Sequence, residues 1–293
     1  MIPAPFDYLP CRSVDEAIAA LAQHGADARI LAGGQSLIPA MRYRLARPAL
    51  LLDINPISDL GYMREENGAL VLGALARDFA LEVSPVVKSQ YALLRDVSAV
   101  VADPVVRHRG TVVGSLCHND PAGDWGVAGL AAGASVVIRG KSGNRVVGID
   151  EFLIDSFTTA VAVGEMAIEV RFPTPGARTS GSYQKIERKV GDFATAAAGV
   201  QLTLAPDGTI AAAGVAIGAA GPCARRVTAA ENLLRGAKPS TEVIRAAAAE
   251  AAKLADPSAD NRGSVEYKKD MAGVLVRRGL VATLERLGVG GLG

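Results

Sequence analysis

The chain has 293 residues, a formal net charge of +1 and a composition rich in Ala, Val and Gly. That length suits two or three domains with a sizeable core. The near-neutral charge excludes a nucleic-acid or anionic-membrane surface as the main role, and the longest apolar run, Gly126–Ile138, is too short to span a bilayer.

The opening MIPAPFDYLPCRS has no basic region and no apolar stretch, so no signal peptide is expected. Next, Ser13 followed by Glu16 forms a capping-box pattern, and Val14, Ala17, Ile18 and Leu21 follow helical spacing up to a stop at Gly25. A short strand is expected at Ala28–Leu31, then a Gly-Gly turn, a helix near Pro39–Ala46 and a buried strand at Ala49–Ile54 closed by Asn55-Pro56. Together these make a compact βαβ-like unit.

The turn LAGGQSLIP (Leu31–Pro39) supports two readings. Gly33 and Gly34 accept positive φ and let their N–H groups converge on an anion such as a phosphate. The plainer alternative is a tight turn capped by Ser36.

Beyond it, Ala69–Ala76 reads as a strand after an Asn67-Gly68 turn, and helical patterns cover Phe79–Val83 and Tyr91–Val101. The stretch Asp103–Trp125 reads as a long polar loop, with Gly110, Thr111, Gly114, Ser115, His118, Asp120 and Asp124 inside it and Pro121 and Gly123 breaking any helix. Thr111 and Gly114 suit a second phosphate contact, and Asp124 suits sugar or ribityl hydroxyls; an Ω-loop with Asp caps is the structural alternative. Two strands joined at Lys141–Asn144 and a strand at Glu165–Pro173 follow, and PTPGARTSG reads as a linker.

After the linker the pattern changes. Three strands are expected, two of them joined by a hairpin at Pro206-Asp207-Gly208. Helices then cover Val227–Arg235, Glu242–Leu254 and Tyr267–Leu287, which suggests a separate α+β domain. The terminal GVGGLG is expected to be disordered.

Several common chemistries lack their signatures. No G-x-G-x-x-G joins a strand to a helix, and no G-x-S-x-G or H-E-x-x-H occurs. Arg139–Ser142 (RGKS) looks like half of a phosphate loop, but Ser135 replaces its required first glycine, so it reads as a hairpin turn. Cys11, Cys117 and Cys223 are dispersed, which suggests a reducing compartment and leaves too few thiolates for an iron–sulfur cluster. His24, His108 and His118 are equally scattered.

Taken together, LAGGQSLIP, VRHRGTVVGSLCHNDPAGDW and SYQKIERKVGDFA resemble, in order and spacing, the FAD-binding medium subunits of the molybdenum hydroxylases, the xanthine dehydrogenase family. The segment Asp260–Leu280 is most similar to medium subunits of the aerobic carbon monoxide dehydrogenase branch. The resemblance covers essentially the whole chain. It implies an α+β fold: a PCMH-like FAD-binding domain of two subdomains, residues 1–55 and 56–176, and a C-terminal flavoprotein domain, residues 177–293, with a three-stranded antiparallel sheet and helices.

It also implies site residues. Ala32, Gly33, Gly34, Gln35, Ser36 and Leu37 would wrap the FAD pyrophosphate. Thr111, Gly114 and Ser115 would approach from the second subdomain. Asp124 would bind the ribityl or nearby hydroxyls, and Lys185 would lie near the flavin ring. Val113 stands where the family has a glycine, so no positive-φ contact is expected there. Trp125 is expected in the core. Phe193 is either over the ring or packed in the interior, and Arg188 and Lys189 are surface or interface charges.

The implied activity is that of an oxidoreductase flavoprotein with no substrate site of its own, relaying electrons during oxidation of carbon monoxide to carbon dioxide. Its expected partners are an iron–sulfur small subunit with two 2Fe–2S clusters and a molybdenum-cofactor large subunit, arranged as a dimer of heterotrimers. The expected location is the cytoplasm, with the partners as a route to the inner face of the membrane. Three alternatives remain open: the same subunit of a hydroxylase acting on a purine, N-heterocycle or aldehyde, a cofactor-free interaction protein, and a self-contained flavin oxidase.

Overall fold

The computed structural model describes residues 2–292. Its first unit is a three-stranded parallel sheet with Leu50–Asp53 in the centre, Asp7–Pro10 on one side and Ala28–Leu31 on the other. Helix Val14–His24 starts as the sequence dictates. The Ser13 hydroxyl accepts from Glu16 N, Glu16 reaches back to Arg12 N at 2.6 Å, and Ala17, Ile18, Ala20 and Leu21 are buried. The next helix is Leu37–Arg42, earlier and shorter than expected, because Arg44 turns into the left-handed region and ends it.

The second unit is a five-stranded antiparallel sheet in the order Met63–Glu66, Ala69–Gly73, Met166–Pro173, Ser135–Gly140, Gly143–Gly148. Its central strands are mostly apolar and largely buried. RGKS falls at the Ser135–Gly140 to Gly143–Gly148 turn, as read.

The expected polar loop at 103–125 is a correction. It is built mostly of helices, Pro104–Arg107, Val112–His118 and the start of Asp124–Ala132. Asp103 and Thr111 cap the first two through side-chain oxygens, and Asn119 ends the second in the left-handed region. Val112, Val113 and Leu116 drive the second helix into the core, so polarity along the segment marks caps and breaks rather than one loop.

The C-terminal sheet runs Thr179–Ile186, Ala196–Leu204, Ile210–Gly218, with a two-residue fourth strand, Arg225–Arg226, at its edge. One face carries helices Thr228–Leu234, Thr241–Leu254 and Val265–Arg286 around a second hydrophobic core. The other face receives helix Asp124–Ala132 and belongs to the first core. A methyl at Gly214 would collide with the Ala131 carbonyl, and one at Gly218 with the Val127 side chain. The glycines therefore let the helix lie flush on the sheet, which carries Asp124 to the neighbouring strand. Arg286 ties the domains together, pairing with Asp96 at 2.7 Å and with the Gly181 carbonyl.

The terminal stretch expected to be disordered is instead packed through residue 292. Val289 N bonds to Leu284 O, and Val289 and Leu292 rest against the second core. Among the described residues, no helix is long and apolar enough to cross a membrane.

Candidate functional site

The first glycine turn leaves the edge strand Ala28–Leu31 and enters helix Leu37–Arg42. Gly34 has φ +76°, and a Cβ there would lie 2.8 Å from Ile38 Cδ1. Ala32, Gly33, Gly34, Gln35, Ser36 and Leu37 are all partly exposed. Among the described residues, the N–H groups of Gly33 to Ser36 donate to no carbonyl. Ser36 sits at the cap position, yet its hydroxyl makes no capping bond, so the turn is not held by a Ser cap.

The second turn meets the first directly. A methyl on Gly33 would collide with the Arg109 carbonyl oxygen and touch Gly110. Thr111 is buried and its hydroxyl accepts from Gly114 N at 3.1 Å, so it shapes the turn instead of facing outward. Gly114 is needed for that bond, because a Cβ there would lie 2.6 Å from Thr111 Oγ1. Gly114 and Ser115 are partly exposed. Val113 points into the core and has no positive φ, so the departure from glycine costs the backbone nothing.

A line of buried groups runs on from this turn. The Asp78 carboxylate abuts Gly110 and accepts from Trp125 Nε1 at 2.9 Å. Trp125 is fully buried, as expected of a core residue. The neighbouring Asp124 is buried too. Its Oδ1 accepts from the Tyr183 hydroxyl at 2.6 Å and its Oδ2 from Lys185 Nζ at 3.2 Å. Lys185 also contacts Glu187 at 3.2 Å and the Val100 carbonyl. Burial pushes Asp124 up from the usual carboxylate range, against the pull of Lys185 and Tyr183. Burial also carries Asp78 to about 7, offset by its bond from Trp125 and reinforced by Asp124. Tyr183 is driven well above its usual value by burial and then by Asp124.

Contacts run from Gly33 through Arg109, Gly110, Asp78 and Trp125 to Asp124 and Lys185. Asp124, expected to meet cofactor hydroxyls, accepts from Tyr183 and Lys185 and holds the lysine in place. Phe193 is 48 % exposed, which overturns the interior-packing alternative. Arg188 is exposed and lies 3.6 Å from Asp192, and Lys189 is exposed.

Sequence reading missed Tyr183, Asp78, Arg77 and Asn55. Tyr183 and Lys185 stand two apart on one strand, hence on one face, and that spacing was the available signal. The other three carry no local signal.

An FAD fits this arrangement. Free, half-exposed amides on turns too tight for a Cβ suit a diphosphate. The Arg77 and Arg109 charges lie close enough to affect each other and so favour an anion there; burial, and then Arg109, push the Arg77 pKa down. The three cysteines are free, and among the described residues no cluster of His, Cys, Asp and Glu suits a metal ion.

Comparison with known proteins gives a consistent result. Residues 4–175 match the family described as the FAD binding domain in molybdopterin dehydrogenase. Residues 181–283 match the CO dehydrogenase flavoprotein C-terminal domain. The chain is 37% identical to the carbon monoxide dehydrogenase medium chain of Hydrogenophaga pseudoflava, over 98% of this chain and 99% of that one. It is 34% identical to the 6-hydroxypseudooxynicotine dehydrogenase complex subunit alpha of Paenarthrobacter nicotinovorans, over 98% and 97% of the two chains. A solved carbon monoxide dehydrogenase from Hydrogenophaga pseudoflava, which lacks the Mo-pyranopterin moiety of its cofactor, superposes with a TM-score of 0.95 at 40% identity, covering 98% of this chain and 99% of its counterpart.

Proposed function

We propose a specific role from a plain premise: the chain belongs to the FAD-binding medium subunits of the molybdopterin dehydrogenases. Its cofactor is FAD. The role is electron transfer within a carbon monoxide dehydrogenase, receiving electrons released when a partner oxidises carbon monoxide with water to carbon dioxide. The observation that carries the site is the contact of the two glycine turns at Gly33 and Arg109, which sets the open amides of the first turn against the second. The choice of substrate rests on the medium-chain relatives and on the C-terminal domain match.

When bound, FAD supplies a redox centre that links one-electron donors to a two-electron acceptor. The chain's own residues bind and orient it. The N–H groups of Gly33 to Ser36 would donate to the pyrophosphate, Gly114 would keep the second turn clear of side chains, and the Ser115 hydroxyl would be available from it. Asp124 and Tyr183 fix Lys185, which would supply a positive charge near the ring system. Phe193 is available to cover the ring and exclude water.

We infer a heterotrimer, doubled, in which a molybdenum subunit oxidises the substrate and an iron–sulfur subunit with two 2Fe–2S clusters carries electrons here. We place it in the cytoplasm, with any membrane contact made through partners. Three structural units follow, residues 1–55, 56–176 and 177–293. A second reading has one specific observation behind it. The 6-hydroxypseudooxynicotine dehydrogenase relative aligns over nearly the same length, so the same subunit could serve a hydroxylase of N-heterocycles.

The test is reconstitution. The FAD-loaded chain alone is expected to be reducible by dithionite and inert to carbon monoxide. With the molybdenum and iron–sulfur subunits added, carbon monoxide should bleach the oxidised flavin band. Bleaching by an N-heterocycle but not by carbon monoxide selects the second reading. Catalytic bleaching of the lone chain by an organic donor overturns the relay role.

A further inference from the structure

We propose that Arg77 and Asn55 form a strap that sets the spacing of the two glycine turns, so that the second turn backs the open amides of the first where they meet a diphosphate. The proposal deepens the FAD reading and rests on it for the identity of the ligand. The two turns are far apart in sequence, one leaving the three-stranded sheet and the other joining helices Pro104–Arg107 and Val112–His118, so the covalent chain does not fix their separation.

A side-chain relay does. Asn55 Nδ2 donates to the Ala32 carbonyl at 2.9 Å and to Leu31 O at 3.4 Å. Its Oδ1 accepts from Arg77 Nη2 at 2.6 Å, and Arg77 Nη1 donates to the Arg109 carbonyl at 2.5 Å. Ala32 directly precedes Gly33, and Arg109 directly precedes Gly110. One pair of side chains therefore joins the base of one turn to the base of the other.

The strap's own parts are held in place. Asp53 Oδ1 accepts from Asn55 N at 2.9 Å and from Nδ2 at 2.6 Å, which leaves Asn55 Oδ1 for Arg77. The Arg77 backbone bridges to Thr111, and Asp78 N bonds to Gly110 O at 3.1 Å. A guanidinium offers two donors in a fixed fork and stays charged, which suits two acceptors on different segments. The Arg109 carbonyl is also the atom against which Gly33 packs. The hydrogen bond and the glycine contact therefore set the same distance.

The experiment uses the full chain with Arg77→Gln, Arg77→Lys, Asn55→Ala and the double variant Asn55→Ala/Arg77→Gln. Amide hydrogen exchange is measured without FAD at Ile38 and Ala40, whose N–H groups bond to Gly34 O and Ser36 O of the first turn, and across residues 109–115 of the second. FAD dissociation constants are measured by flavin fluorescence. Exchange should quicken at both turns together in every variant and stay unchanged in helix Val265–Arg286. The dissociation constant should rise about ten- to hundredfold. The double variant should be no worse than Arg77→Gln, since either change cuts one strap. Arg77→Lys should recover only part of the loss.

Faster exchange at one turn only, additive losses, or full rescue by lysine would each overturn the strap. If Arg77→Gln does not fold, Asn55→Ala cuts the same relay at its other end. If the unaltered chain binds no FAD, the cofactor reading falls, and the exchange result alone decides the strap.

Discussion

Where the turn after strand Ala28–Leu31 meets the turn before helix Val112–His118, the site is made of backbone. Gly33, Gly34 and Gly114 keep side chains out of the way, and the amides of Gly33 to Ser36 are left open. Where helix Asp124–Ala132 meets the C-terminal sheet, the site is made of side chains: Asp124, Tyr183, Lys185 and Glu187, all inside a two-domain seam. The difference separates two kinds of dependence. Backbone turns that make few bonds to the rest of the protein affect binding more than folding. Buried ionised groups that satisfy one another affect folding at least as much as binding, because removing one strands the rest.

The largest effect should come from the backbone region. Gly33→Ala puts a methyl against the Arg109 carbonyl, and neither partner is a flexible side chain that could swing away. The turns must part, so FAD affinity is expected to fall by more than about a hundredfold, on the order of 2.7 kcal/mol or more. The clash is with backbone and strains the Asn55–Arg77 link as well, so the cofactor-free variant should also melt lower, by less than Asp124→Asn does. Flavin titration and differential scanning fluorimetry read the two quantities. Retained affinity would mean that the turns do not act together.

Asp124→Asn probes the other region. The substitution keeps the shape and removes the charge that faces Lys185, leaving Glu187 as the lysine's remaining acidic partner. Breaking a buried pair costs about 3–5 kcal/mol, and Glu187 should hold the loss to the lower end of that range. Urea unfolding without FAD should show it, accompanied by a loss of affinity as Lys185 shifts. Weaker FAD binding with unchanged stability would erase the contrast and make Asp124 a direct ligand, as the sequence suggests.

The same contrast explains what was legible. The Gly-Gly turn, the helix cap at Ser13 and the short apolar runs of the strands are local patterns, and each reads in a few residues. The Thr111 segment did not read as helices, because its caps and its breakers Pro121 and Gly123 resemble loop composition. The Asp124–Tyr183 bond joins residues 59 apart, and Asp78 becomes a buried acid only when Trp125 and Gly110 fold over it. No local period records such meetings. The order of the three motifs supplied the architecture that periodicity alone left as strands followed by helices.

The smallest effect should be at Ser36, and it separates the two readings of the opening turn. If Ser36 capped helix Leu37–Arg42, Ser36→Ala would cost about 0.5–2 kcal/mol of stability with or without FAD. The structure gives its hydroxyl no capping bond, so the cofactor-free protein should lose nothing measurable. A hydroxyl that donates to a phosphate oxygen contributes on the order of 1 kcal/mol, so FAD affinity should fall about fivefold. Alanine keeps the backbone N–H, so the array of amides survives and the loss stays small beside that of Gly33→Ala. Equal melting temperatures without FAD, and a gap that opens only as FAD is added, are the expected pair of observations. A melting point that drops equally in both states would return Ser36 to the role of a cap and leave the anion site to the glycines alone.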